Sequence, residues 1–136
     1  EHIIRHYNMG WADGYQLNIQ YWEIWNEPDL DADDATNKRT WGGTKAQFFD
    51  MYEITAKHLK SCFPQLKIGG PACAKVSETW WRGFFENVSV QPDFFSWHVY
   101  AATVEKMRDI LLKAGYTITE IVQTTIDGKR VKHPVK

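Results

Sequence analysis

Short runs of aromatic and β-branched residues at 21–25, 66–69 and 93–100 alternate with stretches of helical apolar periodicity at 44–62 and 77–87. That alternation constrains the fold more than anything else in the chain. Strand, helix, strand at this spacing predicts right-handed βαβ units and a parallel sheet, hence the α/β class. The helix boundaries carry their own signals. Thr44 with Gln47 three residues later forms a capping box, and Phe48, Tyr52, Ile54, Leu59 and Cys62 form an apolar face that Pro64 closes. Ser77 caps a second helix through Asn87, with Trp81, Phe84, Phe85 and Val88 turned inward. The strand at 66–69 is expected to stop at Gly70-Pro71. Thr103 starts a third helix with Val104, Met107, Leu111 and Ala114 inward and Gly115 as its stop, followed by a strand at 116–123. At the other end, Ile3, Ile4 and Tyr7 mark the last turns of an amphipathic helix that begins before Glu1.

A closed eight-stranded barrel needs about 250 residues, and the chain has 136. It therefore forms either a doubly wound sheet or an incomplete segment of a (β/α)8 TIM barrel, whose sheet edges are bare, paired with missing barrel strands, or closed by self-association. The helix cut at Glu1 favours the segment. Residues 1–123 are expected to form this partial catalytic-type domain, and residues 124–136 a polar tail or an appended hairpin turning at Asp127-Gly128.

A net charge of −1 argues against a nucleic-acid surface, and no apolar run is long enough to span a membrane. Cys62 and Cys73 read as unpaired thiols, without metal-ligand spacing to each other or to a histidine. Seven Trp, seven Phe and six Tyr supply core, and also flat rings of the kind that pack on the C–H face of a sugar.

Functional groups in a parallel barrel project from the C-terminal ends of its strands. The first strand ends in Trp25-Asn26-Glu27-Pro28 and the third in Trp97-His98-Val99-Tyr100. A carboxyl beside an amide is the pairing that glycosidic cleavage needs: the acid protonates the departing oxygen while the amide holds a neighbouring hydroxyl. Glu27 and Asn26 fit those roles, with Trp25 as a ring that excludes water and keeps the acid protonated near neutral pH. His98 and Tyr100 alternate with Val99 and share one side of their strand. They are expected either to contact sugar or to satisfy backbone carbonyls.

His6-Tyr7-Asn8 through Gly14, then 21–29 (Tyr21-Trp22-Glu23-Ile24-Trp25-Asn26-Glu27-Pro28-Asp29), Lys67-Ile68-Gly69-Gly70-Pro71 and 93–100 resemble, in order, glycoside hydrolase family 39 and its clan A relatives, which include β-xylosidases and α-L-iduronidases. The resemblance covers roughly residues 1–120. It implies about strands four to six of the barrel, with 116–123 as a candidate seventh, and a retaining hydrolase of β-xylosides or related glycosides that uses no cofactor and no metal. Glu27 would be the acid/base, Asn26 would hold the 2-hydroxyl, and His98 and Tyr100 would line the glycone subsite. The family nucleophile is a Glu at the end of strand seven. Glu120 stands in that neighbourhood, but another register places the position near Thr125, where there is no acid.

A chain without the nucleophile would be a non-catalytic carbohydrate-binding remnant keeping Asn26, His98 and the aromatic platforms. A doubly wound domain bearing Trp25-Asn26-Glu27-Pro28 by chance is the third reading, and the chain has no Gly-rich phosphate loop to support it. Asp29, Asp31, Asp33 and Asp34 imitate the start of a calcium loop, but Asp34 takes the glycine position and Thr40 that of the closing Glu, so a solvated acidic loop is expected, with Trp41 as a sugar platform at its end. The stripe His2, Arg5, His6 needs no metal, and the sequence names no compartment.

Overall fold

The structure, a computed structural model, describes residues 1–98, 104–124 and 130–133, the last of these and 121–124 as backbone. Nine elements follow one another among them: α1 (His2–Met9), β1 (Tyr21–Glu23), α2 (Lys45–Cys62), β2 (Lys67–Cys73), α3 (Glu78–Asn87), β3 (Phe95–Trp97), α4 (Val104–Lys113), β4 (Ile121–Thr124) and β5 (Arg130–His133). They fall into two compact units, Glu1–Tyr100 and Ala101–Lys136.

In the first unit β1, β2 and β3 form one parallel sheet in that order, as the βαβ spacing predicts. Tyr21 pairs with Lys67 and Glu23 with Gly69 on one side of β2, and Gly70 pairs with Phe95 and Cys73 with Trp97 on the other. β2 is buried from Ile68 onward, which fits a central strand covered on both faces. The expected stop at Gly70-Pro71 is wrong: the strand runs on to Cys73. A register shift against β3 between Gly70 and Cys73 makes a bulge, one of the few places in a sheet that tolerates proline. β1 is shorter than its sequence run because Trp25 has φ 71°, which takes the chain out of extended geometry. β3 does not begin at Asp93. That carboxylate instead accepts Ile68 N–H at 2.9 Å and Lys60 Nζ at 2.7 Å, fastening the start of β2.

The capping box at Thr44 forms in full, Gln47 N–H donating to the Thr44 hydroxyl and Thr44 N–H to Gln47 Oε1. α2 buries Phe48, Phe49, Tyr52, Ala56 and Leu59. Ile54, expected inward, is 69% exposed, since two residues beyond Tyr52 it lies on the opposite side of the helix. α3 buries Trp80, Trp81 and Phe84. Edge-to-face contacts between Phe49 and Trp80 and between Tyr52 and Phe84 join α3 to α2, and Trp81 on Phe95 joins it to the sheet. The aromatic side chains of α2 and α3 thus form much of the core, while Tyr7, Trp11, Tyr15, Tyr21 and Trp25 are exposed. α1 ends at Gly10 in the left-handed conformation but buries only Ile4, leaving Ile3 and Tyr7 exposed against expectation.

In the second unit α4 buries Val104, Met107, Ile110 and Leu111 and is followed by Gly115 at φ 87°. Ala114, expected inward, is exposed. The last strand-like run differs most from its expected form. β4 covers only Ile121–Thr124 of the expected strand at 116–123 and pairs antiparallel with β5; the expected turn at Asp127-Gly128 lies outside the described residues.

Candidate active site

The polypeptide leaves β1 through two left-handed residues, Trp25 at φ 71° and Glu27 at φ 51°, and leaves the bulge of β2 through a third, Ala72 at φ 55°. None is glycine. Such conformations cost about 1 kcal/mol or more each and persist where surrounding bonds over-determine them, commonly at functional sites.

The surrounding bonds are present. Glu27 N–H donates to the Ala72 carbonyl at 3.0 Å. The Glu27 carbonyl accepts the Thr40 hydroxyl at 2.6 Å and Leu30 N–H at 3.2 Å. Ala72 N–H in turn donates to Ser96 Oγ at 3.1 Å, and His98 N–H to the Cys73 carbonyl at 2.7 Å. The ends of β1, β2 and β3 are thus stitched together through the backbone around Glu27, Ala72 and His98. Asp29 adds a further tie, one carboxylate oxygen accepting Ala74 N–H at 2.7 Å and the other Lys75 N–H at 3.0 Å. Burial pushes the Asp29 carboxyl up, against the downward pull of those two N–H groups, and Asp29 together with burial lifts the Cys73 thiol well above its ordinary range, burial being the larger cause.

This frame aims two predicted residues at each other. His98 Nδ1 lies 2.5 Å from Glu27 Oε1, with the Glu27 side chain 19% exposed and that of His98 33% exposed. The pair is sheltered yet reachable, as a proton-transferring carboxyl requires. Asn26 is exposed, and its amide makes no hydrogen bond among the described residues. Trp25 is half-exposed, donates its indole N–H to the Thr40 carbonyl at 3.2 Å and meets Trp41 edge-on at 5.3 Å. Trp41 donates to the Thr44 carbonyl and contacts Phe48 of the core, so the two indoles form a surface corner anchored from below.

Two predicted site residues remain. Tyr100 lies outside the described residues. Glu120 is exposed, belongs to the second unit and immediately precedes β4. It therefore does not end a strand, and the strand's C-terminal residue is Thr124. The acidic loop has protein partners of its own. Asp31 takes the Arg39 guanidinium through Nε and Nη2 and also its backbone N–H, and Asp33 accepts Lys45 N–H, so calcium is not needed to explain it. Thr40, Asp29 and Ser96 hold this backbone in place, and sequence reasoning missed them. Asp29 stands in the resembling run 21–29 and in the acidic run alike, but nothing in the sequence marks its bonds to Ala74 and Lys75.

Comparison with known proteins identifies the family. The sequence profile of the glycosyl hydrolases family 39 matches residues 1–131. A β-xylosidase of Geobacillus stearothermophilus is 31% identical over 105 residues, which is 74% of this chain and 18% of that protein. A β-xylosidase of Caldicellulosiruptor saccharolyticus is 28% identical over 121 residues, 83% of this chain and 22% of that protein. The crystal structure of a glucosidase from Croceicoccus marinus superposes with a TM-score of 0.66 at 32% identity, over 84% of this chain and 26% of the other. The chain thus spans about a fifth to a quarter of the length of these relatives. Its parallel β1-β2-β3 sheet with helical crossovers is an incomplete segment of a (β/α)8 barrel, and the chain belongs to the glycosyl hydrolases family 39.

Proposed function

We propose that residues 1–123 carry the acid/base half of a retaining glycosidase site for β-xylosides or related glycosides. The observation that carries this reading is the Glu27 carboxyl, held at the junction of three strand ends with His98 Nδ1 on one oxygen. In the first step Glu27 gives its proton to the leaving-group oxygen. In the second, as carboxylate, it takes a proton from the water that attacks C1. His98 fixes which carboxyl oxygen faces the substrate. Asn26 holds the 2-hydroxyl, where hydrogen bonding strengthens as positive charge develops on the ring. Tyr100 lines the glycone side, and Trp25 with Trp41 forms the platform on the aglycone side.

The mechanism also needs a nucleophilic carboxylate about 5 to 5.5 Å from the acid. Glu120 is this chain's candidate, and its place before β4 counts against it. That observation favours a second reading, in which the chain binds carbohydrate through Asn26, His98 and the indoles without cleaving it.

Glu27→Gln and Glu120→Gln variants tested on aryl β-xylosides separate the two. Loss of the acid should lower turnover about 10²–10⁴-fold on poor leaving groups and far less on activated ones, which need no protonation. An equal loss on both classes would remove Glu27 from the acid role. Full turnover in Glu120→Gln would place the nucleophile elsewhere; xyloside binding with no turnover in the parent chain would establish the binding reading.

A further inference from the structure

Away from this site, Glu1, His58 and Cys62 bring a carboxylate oxygen, an imidazole nitrogen and a thiol sulfur within 4.8 Å of one another. We propose that they form a binding site for a borderline-soft divalent cation of the zinc class, with water as the fourth ligand. The sequence reading denied Cys62 a metal-ligand spacing to any histidine. In fact His58 and Cys62 stand one helical turn apart at the end of α2 and face the same way. The third group comes from the residue that caps α1.

The distances fit the assignment. Glu1 Oε2 lies 2.9 Å from His58 Nε2, Cys62 Sγ 3.6 Å from the same nitrogen, and Cys62 Sγ 3.8 Å from Glu1 Oε2. Bonds of ordinary zinc length to N, O and S in a tetrahedron put these atoms about 3.4–3.6 Å apart. The thiol edges already match, and the carboxylate–imidazole edge has to open only slightly, trading one hydrogen bond for two metal bonds. The other oxygen of Glu1 is held by Arg5 Nε at 2.8 Å, so the carboxylate is oriented from behind, as outer partners orient metal ligands. His58 and Glu1 are partly exposed and Cys62 is a free thiol, which opens an entry path. One nitrogen, one sulfur and one oxygen suit zinc better than calcium or magnesium, which take oxygen alone. On binding, the Cys62 thiol gives up its proton to solvent.

The position suggests a structural role. Cys62 ends α2 and leads into the first residue of β2, whereas Glu27 and His98 lie past the far ends of β1 and β3. That end of an α/β barrel serves stability rather than catalysis. α1 contributes a single buried side chain, Ile4, and a metal bridging Glu1 to α2 would clip it down.

The test is titration of the reduced, metal-free chain with Co²⁺ and Zn²⁺ at neutral pH. Expected are one equivalent of Co²⁺ bound with a near-ultraviolet thiolate charge-transfer band and tetrahedral visible bands, displacement by Zn²⁺, and a rise in Tm that chelator reverses. Cys62→Ser should abolish the charge-transfer band. His58→Ala, at a largely exposed position, and the milder His58→Gln should weaken binding at least tenfold, as should Glu1→Gln. No charge-transfer band in the parent chain, or parent-like affinity in both His58 variants, would overturn the proposal and leave an ordinary hydrogen-bonded cluster.

Discussion

Glu53 accepts Ser89 N–H and Val90 N–H, each at 2.9 Å, through one carboxylate oxygen, and the Ser89 hydroxyl and the Lys57 ammonium through the other. It thereby joins α2 to the turn after α3. Burial pushes its carboxyl up, but the bonds from Lys57, Ser89 and Val90 together hold it down at about 2, against an ordinary 4.5. A folded-state value below the unfolded one gives stability that is complete above about 4.5 and lost as pH falls toward about 2. Glu53→Gln should cost about 1–3 kcal/mol at pH 7. In melts from pH 7 to 2 the gap between parent and variant should close below pH 4.5; a gap constant with pH would refute this linkage. The same long-range bonding explains what sequence could reveal at single residues. Asn26 and Glu27 were legible because a strand visibly breaks there, and His98 because it ends the next aromatic strand. Thr40, Asp29 and Ser96 were not, since each acts on a partner 13 to 46 residues away and nothing local marks that pairing.

Among the elements, helices were legible because their ends are coded locally. The Thr44 box and the Ser77 cap satisfy N–H groups within three residues of themselves. Strand limits were not, because they depend on neighbours: β2 outlasts Gly70-Pro71 only through its bulge against β3, and β4 turns antiparallel through its pairing with β5. The glycines of this region test the point. A Cβ on Gly69 would sit 2.3 Å from the Phe94 carbonyl oxygen and 2.6 Å from its ring, while one on Gly42 would meet nothing within 4 Å. Gly69→Ala must push apart β2 and the approach to β3, at about 1–3 kcal/mol or more. Gly42→Ala should fall within about 0.5 kcal/mol of the parent. Denaturant unfolding of the two variants measures the contrast, and equal midpoints would contradict the close approach. Because Gly69 precedes the Ala72–Cys73 segment that positions Glu27 and His98, its substitution should also lower any turnover, whereas Gly42→Ala should not.

For the molecule as a whole, the sheet is the unfinished part. Among the described residues β1 pairs only with β2, and β3 only with β2, so both outer edges offer backbone N–H and C=O groups to another strand. The β1 edge carries Tyr21, 64% exposed, with Tyr15 and Leu17 exposed just before it. An unpaired strand edge is a pairing template, and of the charges that usually blunt one β1 carries only the exposed Glu23. A second copy of the chain offers the same edge in return. Sedimentation at increasing concentration should therefore show reversible association, which Tyr21→Lys should weaken by placing a charge on the edge while leaving the α2–α3 aromatic core untouched. A strictly monomeric parent chain, or a Tyr21→Lys variant that associates as strongly, would show that this edge is not the contact.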